Sequence, residues 1–497
     1  MDALNGLFYG LSVALEFHNL LLILAGCLLG TLVGVLPGLG PVGAISILLP
    51  LTFQLPPAGA IIMLAGIYNG AMYGGSTTSI LINVPGEAAS VVTCLDGYAM
   101  AQKGQAGQAL GIAVFGSFIA GTLGLIGLQL VAGPLSALAL KFGPPEYFAI
   151  ILMGFTFIVY LAQGSMIKAV IMAVVGITLS LIGLDPITSQ QRMTFGNIHL
   201  FEGLSVVPLA IGLFGLAEVF NNLEKTAQAK YLNVTVRNMF PSKRQWLQAR
   251  WAIVRGTIIG FFMGILPGGG PVLSTFISYG VERRVSRHPE RFGRGAIEGV
   301  AAPESANNAA ASTSFIPLLT LGIPPNVVLA VLFGAFLVHG VTPGPLMMTQ
   351  HPEIFWGVIA SMYLGNVMLL ILNLPLIPLW VQVLRIPDKV LYPLIILFCL
   401  IGAYSINNSV FDIGVMVLFG ILGYWLKKFD YETAPLILGF VLGPMFEVNL
   451  RRSLLMSQGS FSIFVERPIA LLALMICAIL ILLPIVQTIR KKNPGKK

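Results

Sequence analysis

The sequence predicts an all-α polytopic membrane protein, built of two inverted repeats with re-entrant or broken helical hairpins and about 10–14 membrane segments. Three observations support this fold class. Of the 497 residues, 56% are hydrophobic and only 10% are charged. Long apolar runs recur along the whole chain. One Gly- and Pro-rich motif occurs twice, about 230 residues apart.

The low charge content excludes a soluble enzyme and a nucleic-acid-binding protein, because too few charged side chains are present to cover a water-facing surface. The four Cys residues are scattered in apolar runs without a Cys-x-x-Cys pair. That distribution fits neither a disulfide framework nor a zinc site, and we expect no cofactor.

The membrane segments are predicted from the apolar runs, since a helix needs about 20 apolar residues to cross a bilayer. Several runs are shorter than this and lie beside Gly or Pro, which indicates helices that break inside the protein. The runs are 20–35, 58–73, 109–131, 147–162, 167–182, 206–220, 327–338, 355–383, 390–401, 415–426 and 469–489.

The basic residues predict the orientation. Only four of the 28 Lys and Arg residues precede Asn222, and the first is Lys103, so we expect no cleaved signal peptide. Because Lys and Arg clusters stay in the cytoplasm, the later clusters and the C-terminus are predicted there, with the N-terminus outside. These clusters are 225–255, 283–294, 427–428, 451–452 and 490–497.

An internal repeat divides the chain. The segment Gly30–Val42 reappears as Gly260–Val272, and Pro208–Gly212 matches Pro435–Gly439. We therefore predict four parts, in order along the chain. They are a first repeat (1–222), an amphipathic cytoplasmic connector (223–251), a second repeat (252–450), and an extra C-terminal transmembrane helix with a basic cytoplasmic tail (451–497).

The flanks of the repeated motif favour inversion. Basic residues lie on both sides of the second copy and on neither side of the first, and equivalent elements that face opposite sides are typical of inverted repeats. A parallel duplication with divergent loops is the alternative. Each copy is predicted to be a re-entrant hairpin whose tip reaches the middle of the membrane.

The hairpin tips are candidate anion sites. In Leu36–Pro41 and Leu266–Pro271, Gly permits a positive φ, and the second Pro suits the first turn of the next helix. Free N–H groups at a helix N-terminus attract a carboxylate. The alternative is a structural kink. The candidate donors are Gly38, Gly40, Gly268, Gly269 and Gly270.

The second pair of similar segments, Gly74–Glu87 and Pro303–Ser314, is polar and is predicted to complete the site. Hydroxyl and amide groups can replace water around a carboxylate or an alkali cation, although they can also bond their own helix backbone. The candidate substrate contacts are Ser76, Thr77, Thr78, Asn83, Asn307, Asn308, Ser312 and Thr313. The candidate Na⁺ ligands are Gly38, Ser79, Gly268, Asn307 and Ser314.

Acids inside the membrane are functional candidates. Glu87, Asp96 and Glu304 lie near the polar segments, and Glu304 is preferred over the other two for proton coupling. Na⁺ fits the neutral oxygen chemistry better than a proton, because intramembrane acids are few; H⁺ is the alternative. Gly-x-Ser-x-Gly and His-Glu-x-x-His are both absent from the sequence, so we predict that the protein is not an enzyme.

These motifs resemble those of a known family, the large membrane subunit of bacterial tripartite tricarboxylate transporters. The resemblance extends over about residues 15–450. The segments that carry it are Leu36–Pro41, Gly74–Glu87, Leu95–Gly104, Pro303–Asn308 and Leu321–Pro325.

The resemblance implies a permease of the bacterial inner membrane that imports organic anions, such as citrate and other di- and tricarboxylates, by alternating access. A cation gradient would drive it. Implied partners are a small four-helix membrane subunit and a periplasmic solute-binding protein, besides the anion and the lipid bilayer. A passive anion channel with re-entrant selectivity loops and an intramembrane enzyme are the alternatives.

Overall fold

The computed structural model describes residues 2–36, 39–160, 165–224, 239–383 and 388–492. The helices are α1 (Ala3–Ala14), α2 (Phe17–Val35), α3 (Gly40–Leu48), α4 (Pro57–Ile82), α5 (Val91–Gln102), α6 (Ala106–Ala139), α7 (Pro144–Tyr160), α8 (Met166–Ser180), α9 (Val206–Ala210), α10 (Ala217–Glu224), α11 (Lys243–Ile265), α12 (Gly270–Val285), α13 (Glu298–Thr313), α14 (Phe315–Leu321), α15 (Val327–Val338), α16 (Met347–Gln350), α17 (Pro352–Asn373), α18 (Ile377–Val383), α19 (Asp388–Asn407), α20 (Val410–Lys428), α21 (Ala434–Met456), α22 (Ile463–Glu466) and α23 (Pro468–Lys492). A π-helical turn (Ile211–Leu216) joins α9 to α10. Two short strands, β1 (Gly183–Leu184) and β2 (Gln191–Arg192), pair antiparallel.

Among the described residues, seven helices are long and apolar enough to cross a membrane. They are Phe17–Val35, Ala106–Ala139, Val206–Glu224, Pro352–Asn373, Lys389–Asn407, Val410–Lys428 and Ala434–Met456. Six shorter apolar helices accompany them. The all-α polytopic prediction is confirmed, and the seven and the six together fall within the expected range of about 10–14 segments.

Both predicted tips are breaks between two helices. The first lies between α2 and α3, where Gly40 has φ +57°. The second lies between α11 and α12, where Gly270 has φ +60°. In each case the next residue, Pro41 or Pro271, occupies the first turn of the new helix. Proline is suited to that position because its missing N–H would have had no helical partner.

Rows of glycine hold these hairpins against the following helices. Three glycines in α2, spaced four residues apart, pack against backbone carbonyls of α4, and three glycines in α11 pack in the same way against α13. The contacts are Gly26–Met63, Gly30–Ile67 and Gly34–Ala71 in the first pair and Gly256–Ala302, Gly260–Ala306 and Gly264–Ala310 in the second. Because the contacts advance in the same direction along both chains, α2 is parallel to α4 and α11 is parallel to α13.

This parallel packing shows that each tip belongs to a hairpin. Since α4 starts at the same end as α2, the chain between them must return, and α3 is its returning arm. The same argument makes α12 the returning arm after α11. Phe315 begins α14, which follows α13 after the single residue Ser314. The rings of Tyr68 and Phe315 lie 6.0 Å apart, whereas Ser76 bonds Glu304. Helices α4 and α13 are therefore antiparallel, and the hairpins point in opposite directions, as inverted repeats require.

The chain folds into two compact units, and each draws on both halves of the sequence. The first contains Met1–Ala137 and Val207–Trp425, and the second contains Leu138–Val206 and Leu426–Lys497. The first unit holds both hairpins. The predicted boundaries between sequence repeats are a different division of the chain and stay a prediction.

In the second unit, α8 packs on α21 through further glycines, with Gly176 against Leu436 and Gly439 against Ala173. An ionic cluster joins the β-hairpin to α21. Its members are Asp185, Arg192, Glu447 and Arg451, with Arg192 bonding Asp185 directly and the Arg451 guanidinium 2.7 Å from Asp185.

The helix bounds bear on three of the expectations from the sequence. Residues 243–251 of the predicted connector are the first turns of α11, and 225–238 lie outside the described residues. The boundary between 450 and 451 falls inside α21. Lys427 and Lys428 precede α21, whereas Arg451 and Arg452 lie in its last turns. If α21 spans the membrane, these two basic clusters lie on opposite sides of it.

Substitution Gly260→Ala should destabilise the protein by about 1–3 kcal/mol, because the new methyl group would collide with the Ala306 carbonyl oxygen. The melting temperature of the purified protein in detergent measures this effect. The control is Gly280→Ala in α12, where a methyl group meets nothing within 4 Å. Equal melting temperatures for the two variants would contradict the packing described.

Candidate functional site

Each hairpin tip contacts a residue that begins a later helical segment of its own half, after the long helix on which the hairpin packs. A Cβ atom on Gly40 would lie 3.7 Å from Cβ of Glu87, and one on Gly270 would lie 3.3 Å from Cβ of Asn326. Glu87 precedes the short 3-10 turn before α5, and Asn326 is the N-cap of α15. The two tips therefore have equivalent surroundings, with an acid at one and an amide at the other.

This equivalence corrects the pairing of the two polar segments. The glycine rows align Met63 of α4 with Ala302 of α13, so the counterpart of 74–87 is 313–326. The segment Pro303–Asn308 instead corresponds to the middle of α4. Similar side-chain chemistry favours pairing 74–87 with 303–314, but backbone packing determines which residues are equivalent.

Glu304 is fully enclosed at the crossing of α4, α5 and α13. Its side chain is 1% exposed. Its two carboxylate oxygens accept hydrogen bonds from Ser76 Oγ at 2.6 Å and from Thr93 Oγ1 at 2.5 Å. Its backbone carbonyl accepts a bond from Asn308 Nδ2 at 3.2 Å, and that nitrogen also donates to Ser117 Oγ at 2.7 Å. Hydrogen bonds thus satisfy this buried acid from three helices.

Glu87 is the second buried acid, and Asn307 is its partner. Asn307 Nδ2 donates to Glu87 Oε1 at 2.9 Å. Glu87 is 7% exposed and Asn307 is completely buried. In the part of the chain that the structure describes, Asn307 Oδ1 has no hydrogen-bond partner. We call Glu87, Glu304, Asn307, Ser76 and Thr93 the acid–amide cluster.

The surroundings of the cluster are polar but not basic. The ion pairs found among the described residues include neither Glu87 nor Glu304. The buried Tyr68 hydroxyl makes no well-formed hydrogen bond within the described ranges, but the Asn326 side chain lies near enough to interact with it. Buried acids without basic partners are costly in their charged form, so the cluster is suited to binding a cation or a proton.

Asn326, at the equivalent tip, has a hydrogen-bond partner on both polar atoms of its amide. Its Nδ2 donates to Ser314 Oγ at 3.1 Å, and its Oδ1 accepts the N–H of Leu329 at 3.1 Å. The asymmetry between the tips is therefore one of hydrogen bonding as well as of charge.

Several candidate hydroxyls bond the backbone of their own helices. Thr78 and Ser79 donate to the Gly75 carbonyl, at 2.9 and 3.0 Å. Thr313 donates to Ala309 and Ser314 to Ala310, at 2.9 and 2.7 Å. In this conformation these four hydroxyls stabilise their own helices. Thr77 and Ser312 are buried in the same two helices.

The other candidates are distributed as follows. Asn83 is exposed and ends α4 with φ +58°. The N–H of Gly268 donates to the Pro325 carbonyl at 2.7 Å, and that of Gly269 to Leu266 at 3.0 Å, so these two donors are already occupied here. Gly38 lies outside the described residues.

Sequence reasoning missed Thr93, Ser117, Tyr68 and Asn326 and gave Glu87 little weight. The first three lie within helices without a distinctive local pattern, and their role depends on which helix they face. Asn326 and Glu87 had a usable signal, because each directly follows a Pro-containing break in an apolar segment.

Comparisons with known proteins place these features in a family. The family model described as "Tripartite tricarboxylate transporter TctA family" matches residues 20–438. An Agrobacterium vitis protein, described as an uncharacterized 52.8 kDa protein in the TAR-I ttuC' 3'region, is 52% identical over 495 residues, covering 99% of each chain. A second protein of that organism, described as an uncharacterized protein in the TAR-II ttuC' 3'region, is 56% identical over 234 residues, 46% of this chain and 97% of the relative.

No solved structure matches this chain. The family model spans most of the chain, including both hairpins, both helix breaks and the acid–amide cluster. The chain therefore belongs to the tripartite tricarboxylate transporter TctA family.

Proposed function

We propose that this protein is the permease subunit that imports an organic anion, a di- or tricarboxylate such as citrate, by alternating access driven by a cation gradient. One observation carries the proposal: two oppositely directed hairpins present glycine tips beside buried polar groups in the interior of an apolar protein. A small four-helix membrane subunit and a periplasmic solute-binding protein would be its partners. The family supports this tripartite organisation.

The proposed anion contacts are the N-termini of α3 and α12. Each carries about half a positive charge from the aligned peptide dipoles, and each begins at a glycine of positive φ, Gly40 or Gly270. A carboxylate at either end would receive backbone N–H bonds without needing a basic side chain. The neutral hydroxyls and amides of α4 and α13 would surround the rest of the anion.

The driving ion is proposed to be Na⁺, with H⁺ as the alternative. Ser79, Ser314, Gly268 and Asn307 would contribute to a Na⁺ site. Asn307 supports it most directly, because its Oδ1 is buried without a donor in the described part of the chain. Glu304 would carry the proton in the alternative.

We further propose that the protein lies in the bacterial inner membrane with its C-terminus in the cytoplasm. Lys427 and Lys428, before α21, would lie on the same side as the end of α23, because α21 and α23 are successive long apolar helices. Transport rather than catalysis is proposed as its role, in accord with its family.

The transport proposal can be tested in proteoliposomes that contain the chain with its small membrane subunit. Radiolabelled citrate is supplied with the binding protein, and an inward Na⁺ or proton gradient is imposed. We expect citrate to accumulate inside above its external concentration under one of the two gradients. Equilibration without accumulation would favour a passive channel. If a panel of other di- and tricarboxylates also failed to enter, the proposal would be wrong.

The tip assignment predicts the effect of Gly270→Val. A β-branched residue is strained at φ +60°, and its Cβ would lie 3.3 Å from Asn326. We expect citrate uptake to fall by at least about tenfold, which corresponds to roughly 1.4 kcal/mol, while the protein stays in the membrane. The matched control is Gly280→Val on the exposed face of α12, which should transport normally. Equal uptake by both variants would exclude the α12 tip from the site.

A further inference from the structure

We propose that Tyr68 of α4 is a further substrate-binding residue, whose hydroxyl donates a hydrogen bond to a carboxylate of the imported anion at the N-terminus of α12. This inference rests on the proposed function and adds a phenol donor to its site. Neither the repeated Gly- and Pro-rich motifs nor the two similar polar segments of the sequence include Tyr68.

The first step is the position of Tyr68 relative to the two hairpin tips. Helix α15, which begins at the second tip, packs against both α3 and α4 of the first half. The residue at each tip lies close to the phenol. These residues are Glu87, which a Cβ atom on Gly40 would contact, and Asn326, which a Cβ atom on Gly270 would contact. The side chain of Tyr68 therefore lies close to both tips.

The second step concerns the hydroxyl itself. Tyr68 is completely buried, and the centroid of its ring lies 6.0 Å from that of Phe315. Among the described residues, the hydroxyl has no well-formed hydrogen bond. A buried O–H group without an acceptor is costly, and such groups are few in native proteins. A ligand that brings its own acceptor would remove this cost.

The third step shows that the hydroxyl acts as a donor. Asn326 Oδ1 accepts the N–H of Leu329, which sets the orientation of the amide, and Asn326 Nδ2 gives one hydrogen to Ser314 Oγ. The second hydrogen of Nδ2 is what the amide can still offer to Tyr68. An N–H group can bond the phenol oxygen only as an acceptor, so the proton of Tyr68 remains free for an anion.

The fourth step places the carboxylate at the second tip. Before a cation is bound, the acid Glu87 beside Gly40 disfavours an anion there, because charges interact strongly in a region of low dielectric constant. Asn326, beside Gly270, is neutral. Helix α12 has 16 residues, and the first N–H groups of a helix have no partner within it. Tyr68 and this N-terminus would together bind one carboxylate.

The site is closed in this conformation, since Tyr68 has no exposed surface. Alternating access requires the substrate site to be closed to at least one side of the membrane at every stage. The anion would therefore reach the Tyr68 hydroxyl when the hairpins move apart, and the new hydrogen bond would form only in the occupied protein.

Tyr68→Phe removes only the hydroxyl, and Tyr73→Phe in the same helix is its matched control. Tyr73 is also buried, but its hydroxyl donates to Asn366 Oδ1 at 2.9 Å. Five residues along a helix correspond to a rotation of about 140°, so Tyr73 lies on a different face of α4.

The measurement is the melting temperature of the full-length protein, purified with its small membrane subunit in a Na⁺ buffer at fixed pH. Citrate is added in increasing amounts, and the concentration that gives half of the maximal stabilisation reports the affinity. The same titration is made with propane-1,2,3-tricarboxylate, which has the three carboxylates of citrate but not its hydroxyl.

Without citrate, we expect Tyr68→Phe to melt at or above the wild-type temperature, because it loses a hydroxyl that has no partner. It should need at least about tenfold more citrate, and the same factor more propane-1,2,3-tricarboxylate, since the lost bond is to a carboxylate. Tyr73→Phe should melt at a lower temperature, because it loses a buried hydrogen bond, but bind both acids with wild-type affinity.

Three results would overturn the inference. One is an unchanged affinity for citrate in Tyr68→Phe. Another is a fall in its melting temperature as large as that of Tyr73→Phe, since the hydroxyl would then already be bonded to protein or water. The third is a loss of affinity for citrate alone, which would indicate a contact with the citrate hydroxyl.

Each of these results leaves the proposed function intact if the wild-type protein accumulates citrate in proteoliposomes. If the wild type accumulates another acid of the panel instead, the affinity comparison between Tyr68→Phe and Tyr73→Phe is made with that acid. A wild-type protein that neither binds nor accumulates any acid of the panel would contradict the proposed function and the assignment of Tyr68 with it.

Discussion

The close packing of glycine on backbone carbonyls is the constraint on which the rest of this structure depends. Rows of glycine in α2 and α11 let these helices approach α4 and α13 until no methyl group would fit between them. In a lipid environment, where apolar side chains gain little by leaving the solvent, such contact is a main source of helix association. It sets the register of each hairpin against the next helix and so brings Gly40 to Glu87 and Gly270 to Asn326.

The polar interior follows from that register. Groups buried at the crossing of α4, α5 and α13 must find hydrogen-bond partners or bear a large cost, and most of them do. Among the described residues the exceptions include Asn307 Oδ1 and the Tyr68 hydroxyl, which lie near the acid at the first tip. The second tip, built on the same plan, has the neutral Asn326, whose amide nitrogen and oxygen each have a hydrogen-bond partner. A duplicated scaffold with Glu87 at one tip and Asn326 at the other thus provides different chemistry at its two ends.

Much of the fold was predictable because its signals are local. The helix breaks before α3 and α12 follow from Pro and Gly, and the apolar segments follow from hydropathy alone. Composition could not predict whether Arg451 and Arg452 lie on the same side of the membrane as Lys427 and Lys428. It also could not predict which polar segments of the two halves correspond. The first depends on where a continuous helix ends, and the second on which backbones pack together. Similar side chains in two segments do not make them structurally equivalent.

By itself the sequence determined the fold class, the duplication, the glycine tips and the family, since each of these is written in residue order and local chemistry. Only the tertiary structure decided which polar residues meet. Glu87 and Asn307 are 220 residues apart in the chain, and Ser76 and Glu304 are 228 apart. Contacts at such separations depend on how several helices cross, and no local pattern encodes that crossing.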